Sequence, residues 1–246
     1  MPTQSVDRAI SILRQFSVDE PQLGVTELSR RLGLTKSAVH RLLASLLQGG
    51  LVEQDPISHE YRLGVGLVEM GHTVVLTDPL LRVVHPYLHY LPQAVGESVY
   101  VGLRDGLEML TLLQQRPAEL TEPVTWMART PFHCSAGGKI LLAHMEEDEL
   151  ATLLEKELPR FTESTITDPA ELRAELEVVR EQGFATCFEE RKDGANAVAV
   201  PLAKRDGTVV ATLSVVGHAY SLTREKAMHS LEILRGVATE ISLKLG

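Results

Sequence analysis

Residues 25 to 44 read VTELSRRLGLTKSAVHRLLA, and this stretch limits the chain more than any other. Leu28 and Leu32, then Val39, Leu42 and Leu43, follow the 3.6-residue period of two short amphipathic helices. Gly33 stands between them and suits a left-handed turn residue. Thr26 is placed to cap the first helix and Thr35 the second, and Gly49 with Gly50 stops the second. Two short helices meeting at a tight glycine turn make a helix-turn-helix. Its second helix must present a polar, unbulky face to a major groove about 12 Å wide. Lys36, Ser37, His40 and Arg41 share one face, opposite Val39, Leu42 and Leu43. Lys36 and Arg41 have the reach for guanine edges or phosphates, and Thr35 and Ser37 suit phosphate or base contacts.

A plain three-helix bundle with a wet polar face is the alternative, and the flanks argue against it. Val6, Ala9, Ile10, Leu13 and Phe16 mark an amphipathic helix ahead of the motif. After it, Leu51 to Gln54 and Tyr61 to Leu63 read as strands around an Asp55-Pro56-Ile57-Ser58-His59 turn. That hairpin is a wing, and His59 and Arg62 on it suit the adjacent backbone or the minor groove. Gly64 and Gly66 mark a boundary, and a helix over 67–76 reads as a linker. The expected organisation is a winged helix-turn-helix over 1–66, a linker helix over 67–78 and a larger domain over 79–246.

The larger segment alternates helix and strand signals. Helices are expected from Pro79 through Leu91, from Gly138 toward Leu154, over 169–182 with Leu172, Leu176 and Val179 inward, and from Thr223 to Leu245. Strand hairpins are expected around Asp105-Gly106 and around Arg205-Asp206-Gly207. The fold class is therefore α+β, an all-helical front with a wing and then a domain built on an antiparallel sheet.

The net charge of −9 argues against nucleic acid until its distribution is considered. Residues 1–66 hold seven Lys/Arg and seven Asp/Glu, so the rest of the chain carries the whole negative charge. Between Thr26 and Gln48 four basic residues stand against Glu27 alone. No apolar run reaches the length of a transmembrane helix, and the first sixteen residues lack the apolar core of a signal peptide, so a cytoplasmic location is expected. Cys134 and Cys187 are the two cysteines, read as free thiols.

The chain resembles the IclR family of bacterial regulators nearly end to end. The resemblance lies in SVDRAISILRQF, VTELSRRLGLTKSAVHRLLASLLQGGLVEQ and YRLGVGLVEMG, then in ESVYVGLRDGLEML, PFHCSAGGKILLA, EQGFATCFEER and GANAVAVPLAKRDGTVVATLSVVG. It implies a GAF-like effector-binding domain, dimerisation through the N-terminal region and often a dimer of dimers. The implied partners are double-stranded operator DNA and a small organic effector, an organic acid or an aromatic. The implied role is control of a metabolic or catabolic operon, as repressor or activator. Carried over by motif, the effector pocket is walled by Thr130, Ala136, Gly137, Cys187, Ala195, Ala197, Ser214 and Val216. Backbone N–H groups opening the helix that contains Lys139 would suit a carboxylate. An acidic residue is usual in the family where Cys187 stands, a cysteine where Ala197 stands, and serine is frequent where Val216 stands. The pocket is therefore expected to be less polar than in members that bind small keto acids.

Three other functions have some support in the sequence. His133-Cys134 places a nucleophile beside a base and Glu189-Glu190 pairs carboxylates, but neighbours on an extended chain point apart, and no P-loop, G-x-S-x-G or H-E-x-x-H signature is present. No enzyme activity and no cofactor are expected. His85, His89, His133 and His144 could meet around a metal, although surface or linker histidines are the default and no metal is expected. A sensor acting through protein partners, without DNA, is the third.

Overall fold

The computed structural model describes residues 3–118 and 129–245. These divide between Asp78 and Pro79 into two units.

In the first unit, α1 (Gln4–Leu13), α2 (Val25–Leu32) and α3 (Lys36–Gln48) surround a core of Ile12, Phe16, Leu23, Leu28, Val39, Leu43 and Leu46. The buried face of α1 differs from the expected one. Ala9, Ile12, Leu13 and Phe16 form the inward stripe, whereas Val6 and Ile10 are 55% and 43% exposed. Both sets fit a helical period, and the register that buries Ile12 wins. Thr26 does not cap α2. Gly24 holds the cap position in an extended conformation, its carbonyl accepting from the Leu28 N–H, so the cap lies two residues earlier. Gly33 ends α2 at φ +62, the left-handed conformation expected of it. Ser29 then ties the turn together, because its hydroxyl donates to the Leu34 carbonyl at 2.5 Å and its carbonyl accepts the Leu34 N–H at 3.2 Å.

β1 (Val52–Gln54) and β2 (Tyr61–Leu63) pair antiparallel, Val52 opposite Leu63, and Tyr61 also bridges Leu23. Gly64 and Gly66 do more than mark a boundary. A Cβ on Gly64 would stand 2.3 Å from the Gly50 carbonyl oxygen, and one on Gly66 would stand 2.7 Å from it. Two glycines thus let the chain enter α4 (Gly66–Thr77) pressed against the turn that ends α3. α4 buries none of its side chains, and Val68, Met70, Val74 and Leu76 are all more than half exposed.

The second unit begins with α5 (Pro79–Leu88) and α6 (Leu91–Val95), where one helix through Leu91 was expected. Pro92 explains the break, since it has no N–H to give the Leu88 carbonyl. Then follow β3 (Ser98–Asp105), β4 (Glu108–Gln115), β5 (Arg129–Pro131) and a 3-10 turn over Phe132–Cys134. The helical segment expected from Gly138 through Leu142 and on to Leu154, with a break allowed between, is α7 (Ala136–Ala143) and α8 (Glu147–Leu154), the first beginning two residues early because Ser135 caps it. The remaining elements are α9 (Pro169–Gln182), β6 (Ala185–Phe188), β7 (Ala195–Ala203), β8 (Val209–His218) and α10 (Arg224–Lys244).

The six strands form one antiparallel sheet in the order β5-β4-β3-β8-β7-β6. Its two faces are built from different side chains. Val198, Val200 and Leu202 of β7, Leu213 and Val215 of β8 and Val99 and Val101 of β3 bury against α5, α6 and α10. The alternate positions face α7 and are small or polar: Ala195, Ala197 and Ala199, then Thr212 and Ser214, then Tyr100 and Gly102. Period-two alternation puts each set on its own face. The first face is filled by large aliphatic groups, and the second leaves space.

Candidate functional site

The exposed face of α3 carries Lys36, Ser37, His40 and Arg41 side by side, as the sequence spacing required. Thr35 caps the helix, its Oγ1 accepting the Ala38 N–H at 3.3 Å and lying 3.2 Å from the Ser37 hydroxyl. Thr26 lies exposed in the first turn of α2. On the wing, Asp55 Oδ1 accepts the N–H groups of Ile57 at 2.9 Å and Ser58 at 2.7 Å, which holds its carboxyl below the usual range. His59 is exposed at the end of that turn with φ +60. Arg62 is not an idle cation, because its Nη2 donates to Glu53 Oε2 across the hairpin at 2.8 Å. The basic stretch is also less uniform than its composition. Arg30 and Arg31 are ion-paired on α2, while Lys36 and Arg41 make no ion pair among the described residues.

In the second unit a cavity of about 380 Å³ lies between the sheet, the start of α7 and the chain at 191–194. All eight pocket residues carried over by motif, Thr130, Ala136, Gly137, Cys187, Ala195, Ala197, Ser214 and Val216, stand on its wall. Ser135 caps α7, its Oγ accepting the Gly138 N–H at 3.1 Å. The N–H groups of Ala136 and Gly137, which open that helix, have no acceptor among the described residues. Gly137 is tightly enclosed, since a Cβ there would come within 2.7 Å of the Met109 sulfur and 2.8 Å of Thr212 Oγ1. Close packing of helix on sheet and the cavity wall therefore depend on the same glycine.

Sequence reasoning missed the wall formed by β3 and β4. Tyr100, Met109 and Thr111 line it, and Gln114 Nε2 donates to the Tyr100 hydroxyl at 2.9 Å. Burial pushes the Tyr100 phenol up to about 12. The register signalled these residues, because Tyr100 lies opposite Ser214 and Met109 opposite Thr130. Thr111, Thr130 and Ser214 are 5%, 8% and 5% exposed, yet none of their hydroxyls has a hydrogen-bond partner among the described residues. These three hydroxyl-bearing side chains on an otherwise largely apolar wall mark where a ligand or water can be held by hydrogen bonds.

The cysteines are buried free thiols. The Cys187 thiol donates to the Cys134 carbonyl at 3.2 Å, and burial pushes both thiols up to about 12. The thiolate that a nucleophile requires is thus scarce at neutral pH. His133, beside Cys134, is buried with Nε2 3.0 Å from the Pro159 carbonyl, and burial lowers its pKa. His144 Nδ1 lies 2.9 Å from the Ile140 carbonyl and His85 packs edge-on to His89, so the four histidines do not gather. Glu189 and Glu190 lie beyond the end of β6, Glu189 exposed and Glu190 buried. Sequence reasoning gave no sign of what Glu190 meets. The Lys139 ammonium, on a side chain only 1% exposed, donates to Glu190 Oε1 at 2.8 Å and to Glu175 Oε1 at 3.0 Å.

A winged helix-turn-helix with an open polar recognition face, followed by an α+β unit holding a largely apolar cavity, defines a DNA-binding transcriptional regulator. Comparison with known proteins narrows the class. The IclR helix-turn-helix domain matches residues 5–56, and the bacterial transcriptional regulator IclR C-terminal domain matches residues 72–243. The chain belongs to the IclR family. It is 35% identical over 215 residues to the HTH-type transcriptional regulator XynR of Escherichia coli strain K12, covering 86% of this chain and 85% of that protein. It is 32% identical over 245 residues to the HTH-type transcriptional repressor AllR of Salmonella typhimurium strain LT2, covering 99% and 90%. Among solved structures, the IclR regulator of Alicyclobacillus acidocaldarius superposes over the whole of both chains with a TM-score of 0.92 at 26% identity. An IclR homologue of Microbacterium hydrocarbonoxydans, solved in complex with 4-hydroxybenzoate, superposes with a TM-score of 0.87 at 28% identity, covering 98% of this chain and 99% of that one.

Proposed function

We propose that this regulator is a cytoplasmic protein and not an enzyme. It binds a double-stranded operator through α3 and the wing, and a small organic acid in the cavity of the second unit changes its operator affinity. The observation that carries the effector half is one cavity lined by the hydroxyl-bearing Thr111, Thr130 and Ser214 together with Ala136 and Gly137 at the start of α7. Oxygens of a ligand satisfy such groups, and the start of α7 favours a carboxylate. Val216, Ala197 and Cys187 form an adjoining apolar strip in register across β8, β7 and β6, which suits a hydrocarbon or aromatic body. The Microbacterium homologue solved with 4-hydroxybenzoate supports a ligand of that kind.

The first unit supports assembly. Val6 and Ile10 on α1 and Val68 and Val74 on α4 are exposed apolar groups with no partner in one chain. A homodimer or dimer of dimers covers such groups, and two-fold symmetry then predicts a palindromic operator. Sedimentation at micromolar concentration is expected to give a dimer or larger, and a monomer would overturn the assembly.

Arg41→Ala tests the DNA half. On duplex from upstream of the regulator's own gene, operator affinity is expected to fall by about 1–3 kcal/mol if Arg41 pairs with a guanine, with little loss on random duplex. Equal losses on both would make Arg41 a phosphate contact, and no loss on either would remove α3 from the interface.

A further inference from the structure

The two arginines of α2 are held by carboxylates on the same unit. Arg30 grips Glu27 with two bonds, Nε to Oε2 at 3.0 Å and Nη2 to Oε1 at 2.6 Å. Arg31 is held from both sides. Its Nε donates to Glu27 Oε1 at 2.6 Å, and its Nη1 and Nη2 reach the two oxygens of Glu20 at 2.9 and 2.6 Å. Glu20 belongs to the connection between α1 and α2, eleven residues before Arg31, so this contact is not an accident of helical spacing.

The position of these arginines gives the network its meaning. The first helix of a helix-turn-helix crosses the DNA backbone while the second enters the groove. Consecutive arginines on that helix are natural phosphate contacts, and here two donors of Arg30 and three of Arg31 are already held by carboxylates. Arg62 on the wing is likewise paired with Glu53. Among the described residues of the first unit through Gly66, the cations without an ion pair are Arg8, Arg14, Lys36 and Arg41. Exposed ion pairs add little to stability, so the network is poorly explained by folding alone. Its larger consequence is electrostatic, because nonspecific affinity for DNA comes almost wholly from neutralised phosphates.

We propose that Glu20 and Glu27 set the strength and salt dependence of this regulator's phosphate contacts by keeping Arg30 and Arg31 off the phosphate backbone, which depresses its sequence-independent affinity for DNA. Base-reading groups on α3 are untouched by this restraint, so operator and random DNA lose the same phosphate contribution and the base contacts keep their value. The bridges stay charged through the physiological range, since the two guanidinium groups hold the Glu27 carboxyl at about 2. The restraint is therefore constitutive.

The test uses the full chain, a short duplex of random sequence and the double variant Glu20→Gln, Glu27→Gln. Affinity is measured by fluorescence anisotropy from about 50 to 200 mM salt. Each arginine released onto a phosphate is expected to steepen the slope of log K against log salt by about 0.9, with about tenfold tighter binding at the low-salt end. Asp19→Asn is the control. It removes the same charge beside Glu20, but Asp19 makes no ion pair among the described residues, so its slope should stay at the wild-type value. An unchanged slope in the double variant overturns the proposal, and so does an equal change in Asp19→Asn. If circular dichroism shows the double variant unfolded, Glu20→Gln alone decides. It leaves α2 intact and frees one side of Arg31, so its slope must still exceed that of Asp19→Asn.

Discussion

Lys139→Met is expected to destabilise the second unit by about 3–5 kcal/mol near pH 8, the usual penalty for removing one partner of a buried ion pair. The Lys139 side chain is 1% exposed and that of Glu190 10%, so the pair is dry, whereas Glu175 at 30% is partly screened and adds less. Burial pulls the Lys139 ammonium down, but the two carboxylates outweigh it and leave its pKa raised. For Glu190, burial outweighs the pull of Lys139 and the carboxyl is also raised. One of its oxygens, Oε2, already lacks a partner. Without the ammonium, Glu190 rises further. A carboxyl raised in the folded state contributes stability below its unfolded pKa and loses it as pH climbs through the folded value. The deficit of the variant should therefore be largest at neutral and alkaline pH and shrink toward pH 5. Urea denaturation at both pH values measures it. Adding Glu190→Gln should recover much of the loss at pH 8, because no buried charge is then left alone. A Lys139→Met protein within about 1 kcal/mol of wild type at pH 8 would mean that the pair carries little of the fold's stability.

The same residues show what a sequence can and cannot disclose. Gly33 and Thr35 act locally, one supplying a left-handed turn and the other a helix cap, so their roles follow from position alone. The residues around the cavity were legible by motif because β7 and β8 alternate, which puts Ala195 and Ala197, Ser214 and Val216 on one face whatever the tertiary detail. Tyr100 and Thr111 escaped notice although they share that face, because their place depends on β3 pairing with β8 from far along the chain. Lys139 and Glu190 are 51 residues apart, and no periodicity links them. The α1 register went wrong for a related reason. Two stripes of that helix satisfied the same period, and only packing against α3 selects the one containing Ile12. The basic stretch misled in another way. Composition counts charges, whereas Glu20 reaches Arg31 only once the chain has folded.

Ala197→Phe is expected to abolish the response to effector while leaving effector-free operator binding near wild type. Ala197 stands between Cys187 and Val216 in the sheet register, on the face that borders the cavity, and is itself 9% exposed. A phenyl ring there occupies the space an aromatic body would take, and the DNA-reading face belongs to the other unit. A screen of small acids that includes 4-hydroxybenzoate supplies the probe. An acid that binds wild type at about a hundred times its dissociation constant should stabilise it by about 2.7 kcal/mol, seen as a higher melting temperature. The folded variant should show no rise. Thr111→Val is the milder companion, since it keeps the shape of the wall and removes one hydroxyl that lines the cavity. It should weaken binding of any acid that uses that hydroxyl by about fivefold, consistent with a net hydrogen-bond contribution near 1 kcal/mol. A folded Ala197→Phe protein that melts higher at the same acid concentration as wild type would place the effector elsewhere. Release from DNA would then have to come from that other site, because a ligand shifts an equilibrium only through its different affinities for the two states.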